Sequence, residues 1–189
     1  MKIIDISQEL FTCHVFPGDT PPQYERVKTI DPDLYNLTNI TMCVHNGTHV
    51  DAPKHFVADG KSIDELDLSV FYGKCTVVEV SGLINEETMK DILQHSQERL
   101  ILKGTCELSN EAVHLLTFSH VKLIGVESQT VGNPQEPRSI HVALLQKSII
   151  PLEGLHLSAV TPGDYILCAF PLALGGSDGS PVRAVLLCE

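Results

Sequence analysis

His45-Asn46-Gly47-Thr48-His49-Val50-Asp51-Ala52-Pro53-Lys54-His55 gathers three histidines and an aspartate into one short stretch. His45, Gly47, His49, Asp51, Pro53 and His55 share odd parity, and in extended backbone alternate side chains point to the same face. The four polar residues then lie on one side, with Val50 and Ala52 on the other. A helix would also bring His45 beside His49, but Asn46-Gly47 and Pro53 oppose one. A flat strand would hold those two histidines roughly 13 Å apart. Two histidines on one ion, each with a metal–nitrogen bond of about 2.0–2.1 Å, normally start closer together than that. The chain is therefore expected to bend at Gly47, which tolerates the backbone angles of a bulge. Gly47 would also leave the ligand face open. Such a stretch is either a polar loop with hydrogen-bonded histidines or a metal site. Ligand-type clustering on one parity favours the metal site.

The 189 residues suit one domain, 1–189, with ample core. A 43% hydrophobic content argues against disorder, and no apolar run approaches the ~18–20 residues of a membrane span. The N-terminus lacks a signal-peptide segment, so a cytoplasmic protein is expected. A net charge of −11 opposes nucleic-acid binding, which needs a basic footprint, and association with anionic membranes. Six cysteines form no CxxC pair. Cys43, Cys75, Cys168 and Cys188 lie in apolar segments and read as small core residues.

Along the chain, residues 2–6, 24–30 and 36–44 read as strands, the last running straight into His45. Cys75 to Val80, Leu100 to Leu102, Val121 to Val126, Tyr165 to Phe170 and Val182 to Leu187 read as further strands. Asn85 caps a helix to about Gln97, Ser109 or Asn110 caps a second, and Ser139 to Gln146 forms a third. Strands first, then strands and helices interleaved, predict an α/β domain with a mixed, barrel-like sheet and packed helices. Gly175-Gly176-Ser177-Asp178-Gly179 reads as a tight loop, with Asp178 paired to Arg183. By themselves, His141 reads as a helix-surface histidine and Glu153 as a solvated loop charge.

The pattern His-x-Gly-Thr-His-x-Asp-x-Pro-x-His resembles the motif of the cyclase-like metal-dependent hydrolases, a family that includes bacterial arylformamidases and isatin hydrolase. Further similarity lies in Phe16-Pro17-Gly18-Asp19, Gly125-Val126-Glu127-Ser128, His141, Ile150-Pro151-Leu152-Glu153-Gly154 and Gly179-Ser180-Pro181-Val182-Arg183. The resemblance implies a swivelling β/β/α-type fold and a homo-oligomer, dimer or tetramer. It implies metal ligands at His45, His49, Asp51, His141 and Glu153, with Asp51 bridging when two ions bind. It also implies a catalytic histidine at His55. Histidine and carboxylate donors suit one or two zinc ions, or manganese. A bound ion can lower the pKa of water to about 7, and histidine can carry the proton. Phe16 stands where formamidases have tryptophan, and is expected to contact substrate. Glu127 replaces an aspartate, and Ile140 precedes His141 where a second histidine is common. The metal positions match the family while the substrate positions depart from it.

The expected function is metal-dependent hydrolysis of a C–N bond in a small N-formyl, amide or cyclic amide substrate. The alternatives are a lactone or ester hydrolase on the same site, and a non-catalytic metal- or small-molecule-binding protein. The last is opposed by His55, for which a structural metal site has no need.

Overall fold

In the computed structural model, which describes residues 1–188, the chain opens with β1 (Lys2–Asp5) and a hairpin of β2 (Gln23–Lys28) and β3 (Leu37–Thr41). A single irregular turn, α1 (Ile30–Asp33), joins the hairpin strands. Next come β4 (His49–Asp51), β5 (Tyr72–Glu79), β6 (Gly82–Ile84) and α2 (Glu86–His95). They are followed by β7 (Arg99–Lys103), β8 (Cys106–Leu108), α3 (Asn110–Thr117), β9 (Leu123–Val126) and α4 (Arg138–Leu145). The chain closes with β10 (Ile150–Glu153), β11 (Gly163–Cys168), β12 (Gly179–Pro181) and β13 (Val185–Cys188).

One nine-stranded sheet runs in the order β1-β13-β11-β5-β7-β9-β10-β4-β12. Its centre, β5-β7-β9-β10, is parallel, because each successive pair is joined through a helix. Asn85 and Ser109 accept from backbone amides at the starts of α2 and α3, as their sequence positions predict. The flanking strands pair antiparallel.

A parallel sheet covered on both faces reads as continuous apolar sequence, and Leu100, Ile101 and Leu102 are all fully buried. Leu100 and Leu102 pack toward the helices with Ile124, Met89 and Leu116. Ile101 faces the opposite core, with Val50, Leu152, Phe71 and Leu186. The sheet curls around this second core. His156 N–H donates to the Ile6 carbonyl at 2.9 Å, and Ser7 bridges Leu155, so β1 returns to the end of β10. The result is the α/β half-barrel with packed helices that the element order predicts.

The strand expected over residues 36–44 stops at Thr41, short of His45. The Asn46 side chain accepts from Cys43 N–H at 2.9 Å, and Asn46 N–H donates to the Cys43 carbonyl. This closes a turn that interrupts the strand. Residues 150–153, whose Glu153 reads as a loop charge, form a buried strand between β9 and β4. Of the four cysteines assigned to the core, only Cys75 is fully buried. No helix among the described residues is long and apolar enough to cross a membrane.

Leu152 is fully buried beside Val50 on the face opposite Glu153. Leu152→Ala should therefore destabilise the protein by about 2–5 kcal/mol in denaturant titration. A loss below 1 kcal/mol would show that this strand is not part of the cooperative core.

Candidate active site

Two neighbouring strands present the acidic residues of the site. In β4, Val50 points into the core while His49 and Asp51 point to the other face. In β10, Leu152 pairs with Val50 and Glu153 with His49, so Glu153 emerges beside His49 on the same face. On the other side of β4, Gly179 of β12 pairs with Asp51. A Cβ on Gly179 would sit 2.7 Å from His45 Cε1, so its absence makes room for that ring.

The remaining side chains reach the same place from irregular segments. His45 sits on the Asn46-closed turn and His55 on a 3-10 turn started by Pro53. His141 projects from α4. Parity therefore describes only His49 and Asp51, and the fold brings in the others. Gly47 does bend the chain, with φ +65°. It does not open the ligand face, since its missing side chain would point at Cys13 and Leu10.

His141 and Glu153 are each only 2% exposed, which corrects the surface readings of both. Their positions carry no local sign of burial. Only the completed β10 and the packing of α4 over its end enclose them.

The nitrogens of each imidazole divide their work. His49 Nδ1–H donates to the Gly47 carbonyl at 3.0 Å, and His141 Nδ1–H to the Pro137 carbonyl at 2.7 Å. A carbonyl only accepts, so these contacts fix the tautomer and leave both Nε2 lone pairs pointing inward. His49 Nε2 lies 3.6 Å from Asp51 and 3.4 Å from Glu153. His141 Nε2 lies 3.3 Å from Asp51 and 3.1 Å from Glu153. His45 Nδ1 faces Asp51 at 3.0 Å, and its Nε2 faces Asp178 at 3.0 Å. An outer acceptor on one ring nitrogen and a free inner lone pair on the other is the arrangement of metal-ligating histidines.

Asp51 Oδ2 is buried and makes no well-aligned hydrogen bond, with His141 Nε2 standing 3.3 Å away. Such an atom is costly to leave unpaired. His45, His49 and Asp51 are close enough to hold one ion, and Asp51, His141 and Glu153 a second, with Asp51 common to both. The donor set and this oxygen fit a divalent cation.

Without a cation, protons supply the positive charge. Burial opposes charging His45, but Asp51, with Asp178 behind it, raises its pKa to about 9. Burial likewise opposes charge on His141, and Asp51 and Glu153 raise it to about 10. Burial pushes Asp51 up, but His141 and His45 outweigh this and hold it well below the usual carboxylate range. His55 differs: burial dominates, and its pKa is lowered.

His55 is half-buried, stacks on His45 with ring centroids 4.1 Å apart, and has Nδ1 3.3 Å from Asp178 Oδ2. A cavity of about 210 Å³ lies in front of the cluster. Phe16, Asp19, His55, Phe56 and Pro137 line it together with the buried histidines. The structure thus brings the expected site residues together: all but Asp51 line one cavity, and Asp51 lies behind it against His45, His49 and His141. Sequence reading missed Phe56, whose ring lies 4.8 Å from that of His141. It also misassigned Asp178, because Arg183 instead pairs with Asp5 at 2.9 Å. The only signal for Asp178 is an acidic side chain in a glycine-rich loop.

The sequence matches the model of the Cyclase family ("Putative cyclase") over residues 4–106. It is 37% identical to a kynurenine formamidase of Bacillus anthracis over 98% of this chain and 97% of that one. The fold is similar to a potential metal-dependent hydrolase with cyclase activity, with TM-score 0.83, 24% identity and coverage of 98% and 96%. It is also similar to isatin hydrolase A of Ralstonia solanacearum, with TM-score 0.86, 21% identity and coverage of 100% and 92%.

The raised histidine pKa values give a pH dependence of known sign. An imidazole raised above its unfolded value of about 6.5 contributes stability fully below that pH and loses it as pH passes the folded value. The contribution of Asp51, whose pKa is lowered, is complete above about pH 4 and constant in this window. Chelator-stripped protein should therefore melt at progressively lower temperature as pH rises through about 9 and 10. A flat or rising profile between neutrality and about pH 10 would contradict this assignment of charge.

Proposed function

As the chain belongs to the Cyclase family, we propose that it is a metal-dependent hydrolase of non-peptide C–N bonds, acting on a small N-formyl, amide or cyclic amide substrate. The observation that carries this reading is the pair of ligand groups that share the buried Asp51, set among three histidines whose outer nitrogens are already bound. His45, His49 and Asp51 would hold one ion, and His141 and Glu153, sharing Asp51, a second. Zinc suits this nitrogen–oxygen donor set, and manganese is the other candidate. When bound, such an ion supplies an acidified water and polarisation of a carbonyl oxygen.

The protein's own residues do the rest. Phe16 and Phe56 give the cavity aromatic walls that suit a flat substrate. Its volume of about 210 Å³ restricts entry to small molecules. His55 lies at the cavity but has its Nδ1 turned away to Asp178, so Nε2 is the nitrogen available to the substrate. Burial keeps His55 neutral near neutral pH, so it can accept a proton from water and then deliver it to the leaving amine. Its neighbours His45 and His141 turn their inner nitrogens to the carboxylates, where an ion would bind, and cannot take that role.

A homo-oligomer is also proposed. Tyr24, Leu37 and Ile40 of the β2–β3 hairpin are exposed, and an isolated two-stranded hairpin is marginally stable in water. Light scattering on purified protein would decide the assembly state.

The function is tested by incubating zinc- or manganese-loaded protein with an aryl formamide, a cyclic imide and a lactone. Turnover of the formamide or imide is expected, whereas activity on the lactone alone would replace the C–N assignment with ester hydrolysis. His55→Ala should retain its metal while its turnover falls by roughly 10²–10⁴-fold. Loss of metal would make His55 a ligand, and unchanged turnover would remove it from the reaction.

A further inference from the structure

A histidine that ligates a metal or carries a proton must have its ring orientation and tautomer set by its second nitrogen. For His49 and His141 the backbone does this, through the Gly47 and Pro137 carbonyls. His45 and His55 have no such carbonyl. Both turn a ring nitrogen to the same atom, Asp178 Oδ2, at 3.0 Å from His45 Nε2 and 3.3 Å from His55 Nδ1.

The backbone of Asp178 is held on both sides. Ala52 N–H donates to the Asp178 carbonyl at 2.8 Å, which ties it to the end of β4. Just before it, the Ser177 carbonyl accepts from Ile63 N–H at 2.9 Å, and Gly176 N–H donates to Asp64. Just after it, Gly179 enters β12 opposite Asp51. The glycine-rich loop is thereby fixed to the strand that carries His49 and Asp51. Arg183, the arginine nearest to it in sequence, is paired with Asp5 instead.

We propose that Asp178 is a positioning residue that serves His45 and His55 at once. It holds His45 with Nδ1 directed at Asp51, and His55 with Nε2 directed into the cavity. One carboxylate then ties a metal-facing histidine to the proton-carrying histidine, which stacks against it. The inference rests on the reading above that His45 is a ligand and His55 acts on the substrate. The close grouping of His45, His55 and Asp178 also allows Asp178 itself to be a ligand, so the test must separate the two roles.

Asp178 is 46% exposed, so its replacement leaves the core intact. The full chain, its Asp178→Ala and Asp178→Glu variants are compared with zinc(II) as the probe, by chelator competition and by ¹⁵N spectra of the ring nitrogens. For Asp178→Ala the expected result is a zinc affinity weaker by roughly 10–100-fold at unchanged stoichiometry. His55 should shift from the Nδ1–H tautomer toward Nε2–H, while His49 and His141, held by backbone carbonyls, keep theirs. Asp178→Glu should recover part of both effects. Loss of a whole equivalent of zinc in Asp178→Ala would make Asp178 a ligand and overturn the proposal. Unchanged affinity with an unchanged His55 tautomer would overturn it as well. If wild-type protein takes up no zinc, the metal reading fails separately, and the His55 tautomer in the two variants still decides the positioning role.

Discussion

Two carboxylates, Asp51 and Glu153, lie almost completely out of water on neighbouring strands, and their charge has to be balanced where they stand. Burying a charge without a partner is far more costly than any single packing defect. Among the described residues no lysine or arginine pairs with them, and three imidazoles surround them instead. In metal-free protein those imidazoles bind protons, as the raised pKa values of His45 and His141 express. A divalent cation carries the charge of two such protons and can also occupy the free position beside Asp51 Oδ2. On the proposed reading metal would replace those protons, and its affinity should rise with pH across the neutral range.

The sheet makes this constraint tolerable. Val50 and Leu152 anchor the same two strands in the curled core, so His49, Asp51 and Glu153 have little freedom to move away from one another. A second set of contacts holds the rear. Gln129 donates to the Gly47 carbonyl that orients His49, and Gln8 donates to both Gln129 and the Gly154 carbonyl. Gly154 has φ +68°, and a side chain there would overlap Gln129 and the Gly47 carbonyl. The turn after β10 can thus close over the histidine stretch only with glycine at that position.

Much of this was legible in the sequence. The alternation set Val50 and Ala52 opposite the polar residues, which is the core side of β4, and the apolar runs marked three of the four central strands, β5, β7 and β9. The bend at Gly47 followed from the poor spacing of His45 and His49 on a flat strand. What was not legible depended on distant pairing. Glu153 looked like a loop charge because Ile150-Pro151-Leu152 is too short to declare itself a strand without β4 and β9 beside it. His141 looked exposed because burial of its helix face is decided by the cavity over β10. Asp178 was given the nearest arginine in sequence, whereas the register of β12 turns it to the histidines and leaves Arg183 to Asp5.

The central claim is that Asp51 is shared between two metal positions. Metal content of Asp51→Asn, measured beside wild type and His141→Ala after loading with zinc and removal of free ion, tests it most directly. The asparagine variant should hold little or no zinc, while His141→Ala should keep the ion at His45, His49 and Asp51. Full occupancy in Asp51→Asn would contradict the shared carboxylate and the account built on it.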